Sequence, residues 1–282
     1  MTWQAQLDRF RKNPAAGAWA LPRDRVADDL AGLLAEPDSL NQGPFGFCGI
    51  AAVVRFWLHR DPDAFARFAC ELYDHGTAPA GGVSITANAT LRKRDYLADL
   101  ARDDRCPPGQ WLVLGAIQDH IAVGGFFGTP DQSWTSFIDL HEGCNPRDLV
   151  PLLRATGLYR DVDDRVDWTS IVLPRLPWSP FPRPSLKDVL ALAPGDASDV
   201  ILLVNDCFLA GGGVPSGWLG RIQLDFPNHY VALQTPLTVQ DGYVTGRVWT
   251  WAAYQDLRVG QGQFLRNYYG AVVSDAAPAA GG

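Results

Sequence analysis

Residues 41–58 run Asn41-Gln42-Gly43-Pro44-Phe45-Gly46-Phe47-Cys48-Gly49-Ile50-Ala51-Ala52-Val53-Val54-Arg55-Phe56-Trp57-Leu58. The first part is a turn, because glycine and proline punctuate it. From Cys48 onward the sequence is apolar nearly all round, which reads as a buried helix. The change falls at Cys48 and sets this cysteine at a helix N-terminus. There the helix dipole and the free N–H groups favour the thiolate, the reactive form of cysteine.

Upstream, residues 3–12 and 24–35 alternate apolar and charged positions at helical spacing. Pro22 and Asp24 stand where the second of these helices starts. Downstream, Asp61 and Pro62 open an amphipathic helix that runs through Tyr73. Residues 76–90 are small and polar and read as loop. Residues 91–104 and 109–121 read as helical. Asn145 caps a further helix with Pro146 in its first turn, ending near Gly157.

The pattern changes after about residue 165. Val166–Leu173 alternates and is β-branched, and the Pro-rich Pro174–Pro184 is an extended connector. Pro184–Ala193 holds a short helix, and Val200–Val204 is a buried strand. Residues 219–225, 229–234, 243–251 and 265–273 are further strands, with Asp241-Gly242 as a hairpin signal. The expected fold class is α+β in two lobes. Residues 1–165 form a mainly helical lobe carrying Cys48, residues 166–275 an antiparallel β lobe carrying His229, and residues 276–282 a disordered tail.

The bulk numbers narrow the function classes. A chain of 282 residues holds one large domain or two intimate lobes. Its net charge of −7 carries no basic stripe for nucleic acid. The densest basic run, Arg92-Lys93-Arg94, is followed by Asp95 and Asp99 and reads as a solvated helix face. No apolar run approaches the ~18 residues of a membrane span. The start, MTWQAQLDRFRKNP, has no apolar core and does not read as a signal peptide. The 5 cysteines are odd in number, and no CxxC or HxxxH pair suggests a metal site. Reduced thiols fit synthesis in the cytoplasm, so export would need another system.

A nucleophilic cysteine needs an oxyanion site and a base. The backbone N–H of Cys48 and the side-chain amide of Gln42 can supply two oxyanion donors. The base should be a histidine distant in sequence. His59 lies on the nucleophile's own helix, roughly 16 Å away at 1.5 Å per residue. His75 stands at a helix C-terminus, and His120 and His141 lie in the helical half. His229 begins the strand Asn228-His229-Tyr230-Val231-Ala232-Leu233 and is the candidate base. Cys70, Cys106, Cys144 and Cys207 read as buried structural thiols.

Residues 41–48 resemble the active-site segment of papain-like cysteine peptidases, Asn-Gln-Gly-x-x-Gly-x-Cys. Asn41, Gln42, Gly43, Gly46 and Cys48 match in type and spacing, while Gly49 replaces the aromatic residue that often follows the nucleophile. The resemblance implies Cys48 as nucleophile, Gln42 as oxyanion donor, and a nucleophile helix packed on a C-terminal antiparallel sheet. His229-Tyr230-Val231 resembles the family's His-x-Val strand, and Trp251 matches the tryptophan that shields the histidine. The family's orienting Asn falls on Trp249, whose indole cannot accept a hydrogen bond. Thr250 is the expected third residue, although period two turns it to the other face unless a bulge intervenes. Asp241 and a dyad held by a backbone carbonyl are the alternatives.

The resemblance implies a thioester acyl-enzyme, no cofactor, and a peptide or amide bond in a protein or peptide substrate. Glutamine deamidation and acyl transfer are open on the same fold. Its nearest members are bacterial secreted toxins and effectors, which implies a secretion system or an immunity protein as partner. A non-catalytic binding module is the competing class, since 10 tryptophans, Trp178 among them, could line a groove. Gly211-Gly212-Gly213 lacks the Lys-Ser/Thr of a phosphate loop and reads as a loop beside the cleft.

Overall fold

A computed structural model describes residues 1–42, 46–93, 106–121, 146–166, 184–209 and 227–277. The helical half comprises α1 (Trp3–Lys12), α2 (Arg23–Ala35), α3 (Cys48–Arg60), α4 (Pro62–His75), α5 (Ala89–Lys93), α6 (Pro108–Ile121) and α7 (Pro146–Ala155). Local chemistry sets several ends. Asp61 accepts the Ala64 N–H at 2.9 Å and Pro62 opens α4. Gly76, at φ 72°, closes it in the left-handed conformation that glycine adopts without strain.

Residues 76–90 are not loop throughout. They contain the hairpin β1 (Thr77–Ala80) with β2 (Val83–Thr86), followed by the start of α5. The small side chains that suggested a loop fit there, because Ala78 and Ala80 pack into the helical core beside Ile85.

The remaining elements are β3 (Tyr159–Asp164), α8 (Leu186–Leu190), β4 (Ser198–Val204), β5 (His229–Leu233), β6 (Thr238–Gln240), β7 (Tyr243–Thr250), β8 (Ala253–Gly260), α9 (Gln261–Asn267) and β9 (Tyr268–Ala276). Among the described residues, 7 strands form one antiparallel sheet in the order β3-β9-β4-β5-β7-β6, with β8 also on β7. The fold is α+β. Asp241 (φ 50°) and Gly242 (φ 82°) turn β6 into β7.

β4 and β5 are apolar on both faces because both faces are covered. Ile201, Leu203, Tyr230, Ala232 and Trp249 pack with the helical half. Val200, Leu202, Val204, Val231, Leu233 and Val248 pack with Val189 of α8 and Phe264 of α9.

Four expectations change. The sheet takes β3 from before residue 165. The strand expected at 265–273 is a helix to Asn267 and a strand from Tyr268 to Ala276. β8 had no clear signal, since only Leu257 and Val259 of its side chains are buried. Residues 276 and 277 of the expected disordered tail are ordered, because Ala276 ends β9 and the Ala277 N–H donates to the Leu158 carbonyl at 2.9 Å, while residues 278–282 lie outside the described residues. The readings at 167–183 and 219–225, with Cys144, His141, Trp178 and Gly211–Gly213, lie outside the described residues.

Candidate functional site

Cys48 is the first residue of α3, and Phe47 before it has no side-chain group to cap the helix. The thiol is 9% exposed at the meeting of the helical half and the sheet. Burial pushes its pKa up to about 11, against backbone hydrogen bonding from Tyr230, Gly49 and Cys48 itself; the Asp206 charge adds to the rise. This corrects the expectation that the helix terminus would lower it: desolvation outweighs the terminus in this closed setting. The Tyr230 contact also links the thiol to the strand of the candidate base.

His229 opens β5, paired with Val204, and is 5% exposed. Its Nε2 lies 2.5 Å from Thr250 Oγ1. The Trp251 indole stacks on its ring at 4.5 Å between centroids and 24° between planes. Desolvation alone lowers the imidazole pKa to about 3. Among the described residues no hydrogen bond joins His229 to Cys48, and with the thiol pKa raised and the imidazole pKa lowered each group is neutral near pH 7.

The position of Thr250 needs no bulge. Leu233 pairs directly with Val248, and directly paired residues share a face. Period two along each strand then puts His229 and Thr250 on that same face, and Trp249 on the other with Ala232. Trp249 donates its Nε1–H to the Asp38 carbonyl at 3.0 Å. Beyond Thr250 the chain turns at once into β8 through Trp251 (φ 48°) and Ala252 (φ 59°). Two left-handed non-glycine residues are an unusual pair for a two-residue hairpin and carry a strain cost. The tight turn leaves the indole over the imidazole. Asp241, the alternative third residue, sits in the β6–β7 turn.

Gln42 is buried. Its segment is anchored by α6 and α2. The Asn41 N–H donates to Gln110 Oε1 at 2.6 Å, and Gln110 Nε2 donates to Asp29 Oδ1 at 3.1 Å. Gly43, Pro44 and Phe45, between Gln42 and Cys48, lie outside the described residues.

Two groups escaped the sequence reading. Arg55, inside the apolar stretch of α3, is 4% exposed. It binds Asp38 Oδ1 through Nε at 2.7 Å, and Gln234 Oε1 and the Tyr254 hydroxyl through Nη2, each at 3.0 Å. Its guanidinium also lies over the Trp249 ring at 5.2 Å. Asp38 further accepts from the Tyr254 hydroxyl at 2.6 Å, and His59 Nε2 lies 2.9 Å from it. Burial raises the Asp38 pKa, but Tyr254, His59 and Arg55 outweigh it and hold the carboxyl below its ordinary value. A charged residue in an apolar helix was the signal available for Arg55. The second group is Asp206 with Asn228, whose contact across a gap of 22 residues has no sequence signature.

The other candidates lie elsewhere. His75 ends α4, and His120 Nδ1 lies 3.4 Å from the Thr86 N–H. Cys106 is buried, whereas Cys70 and Cys207 are only half-buried. A cavity of about 760 Å³ opens at the opposite end of α3, lined by Arg55, His59, Arg60, Asp199 and Tyr254. Among the described residues no helix is long and apolar enough to cross a membrane, and no group of three or more His, Cys, Asp or Glu could hold a metal ion.

The buried imidazole makes stability depend on pH. Its pKa in the fold, about 3, lies below its ordinary 6.5. The unfolded chain therefore binds a proton that the folded chain refuses, and stability is present above pH 6.5 and lost as pH falls towards 3. From pH 7.5 to 5 the protein should lose roughly 2 kcal/mol more than a His229→Gln variant, at 1.36 kcal/mol per unit. Urea titrations of both proteins at the two pH values check this; parallel losses refute it.

No family model, curated protein or solved structure matches this chain.

Proposed function

We propose that this chain is a cysteine hydrolase with a papain-like two-lobe architecture, cleaving a peptide or amide bond through a thioester. One observation carries the reading: a histidine fixed by Thr250 and covered by Trp251 opens the strand whose next N–H acts on the Cys48 thiol. A Thr250 oxygen accepting the Nε2–H selects the tautomer that leaves Nδ1 with a lone pair. Nδ1 is then the base.

As the substrate carbonyl enters, Cys48 Sγ attacks its carbon and Nδ1 takes the thiol proton. The carbonyl π pair moves to oxygen, where the Cys48 N–H and the Gln42 amide meet the charge. Collapse breaks the C–N bond, and the imidazolium returns its proton to the leaving amine. Water repeats the sequence on the thioester and frees the acid. A thiol and an imidazole that are each neutral at rest fit proton transfer during attack, with His229 as general base.

The test pairs labelling with turnover. Iodoacetamide should alkylate Cys48, and His229→Ala should slow this. Alkylation forms no oxyanion, so Gln42→Ala should leave labelling intact while lowering turnover by roughly 10²–10³, with little change in substrate binding. Full turnover in Gln42→Ala with a lowered melting temperature would reduce Gln42 to a turn residue. Labelling indifferent to His229 would remove the base. Product masses on a peptide substrate separate hydrolysis from deamidation of a glutamine side chain and from transfer to an amine.

A further inference from the structure

Asp206 begins a short 3₁₀ turn directly after β4, within two residues of Val204, the partner of His229. Its Oδ1 accepts from Asn228 Nδ2 at 2.8 Å, and its own N–H donates to Asn228 Oδ1 at 2.8 Å. Asn228 is the residue immediately before His229. This two-way clasp ties the carboxylate to the base of the candidate site. The carboxylate is half-buried, and among the described residues no Lys, Arg or His pairs with it.

Such a group has a cost. Burial raises the Asp206 pKa, although the Asn228 amide works against this. Its charge also adds, behind desolvation, to the rise of the Cys48 thiol pKa, which opposes formation of the thiolate. A positive group arriving beside Asp206 offsets both penalties. It replaces the carboxylate's lost hydration and cancels the field that disfavours a negative sulfur.

We infer that Asp206 is the recognition carboxylate of this site and selects substrates that carry a positively charged amine or guanidinium near the scissile bond. The inference rests on the hydrolase reading above and adds the substrate class to it. Binding and activation are thereby coupled, because a neutral or acidic substrate leaves the thiol under the full Asp206 field.

Three chloroacetamides of similar length test this: N-(5-aminopentyl)chloroacetamide, N-pentylchloroacetamide and 6-(chloroacetamido)hexanoic acid. Each alkylates by one route, in which Cys48 sulfur forms the C–S bond, chloride leaves, and the thiol proton passes to His229. Second-order rates at Cys48 are read by mass spectrometry on the full chain. The cationic probe should react about tenfold faster than the neutral one, equivalent to ~1.4 kcal/mol for a partly solvated charge pair. Asp206→Asn, which can keep the clasp to Asn228, should erase that preference by slowing the cationic probe while leaving the neutral one equal or faster. Equal rates for the cationic and neutral probes in the natural protein, or a preference that survives Asp206→Asn, overturn the inference. If the neutral probe still labels Cys48 in a His229-dependent way, the hydrolase reading stands without it. Absence of His229-dependent labelling by all three probes overturns both.

Discussion

Cys48→Ala should abolish turnover, by roughly 10⁴–10⁶-fold, in a protein that still folds. The size follows from the route: without sulfur there is no thioester, and only the binding and oxyanion groups remain to help water. The fold should survive because the exchange removes one atom at the first position of α3, where the helix is already propagated by the Ala51 N–H bonding the Phe47 carbonyl at 2.7 Å. A stability loss of about 1 kcal/mol is ordinary for such a truncation. Intact-mass spectra should show an acyl-enzyme with the natural protein and none with the variant. Natural turnover in a well-folded Cys48→Ala protein would return Cys48 to the structural thiols and end the hydrolase reading.

Arg55→Met should unfold the protein more easily by about 3 kcal/mol. Removing one partner of a buried ion pair typically costs about 3–5 kcal/mol, since the remaining charge is left uncompensated. Asp38 keeps 37% of its side-chain surface exposed, and water can repay part of the loss, which puts the effect at the lower end. The melting temperature should fall by about 6–12 °C for a domain of this size. The consequence reaches beyond stability. Arg55 joins helix α3, which Cys48 opens, to Asp38 ahead of the Asn41-Gln42 segment, to Gln234 after β5, and to Tyr254 of β8. Thermal unfolding of Arg55→Met, Asp38→Leu and the double variant forms the cycle. The double variant should be more stable than the sum of the single losses implies, because no charge is left alone. Strictly additive losses would show that the pair is not coupled.

The expected elements survive best where one periodicity operates alone. α1, α2 and α4 were legible because apolar positions recur at helical spacing and Asp61 and Pro62 mark a start, and α3 because its long run is apolar nearly all round. β4, β5 and β7 were legible as β-branched runs. The hairpin at 77–86 was not, since two short strands of small residues leave no period to read. Nor was the helical start of 265–273, where Phe264 and Tyr268 pack with Val189 and Val200 at a spacing that suits helix and strand junction equally.

At the site the division is sharper. The sequence by itself determined a cysteine at a helix start behind a Gly-rich turn, and a strand opening on a histidine, because both depend on neighbours in the chain. It could not determine the side of the sheet on which Thr250 stands. That follows from the β5–β7 register, with Leu233 opposite Val248, and register is a property of two strands. Nor could it determine the charge state of the thiol. A helix terminus is visible locally and favours the thiolate, whereas burial is the work of the whole core and pushes the pKa to about 11. The Arg55–Asp38 and Asp206–Asn228 contacts belong to the same class. Electrostatic partners are chosen by distance in space, and only the closed fold brings these residues within hydrogen-bond reach.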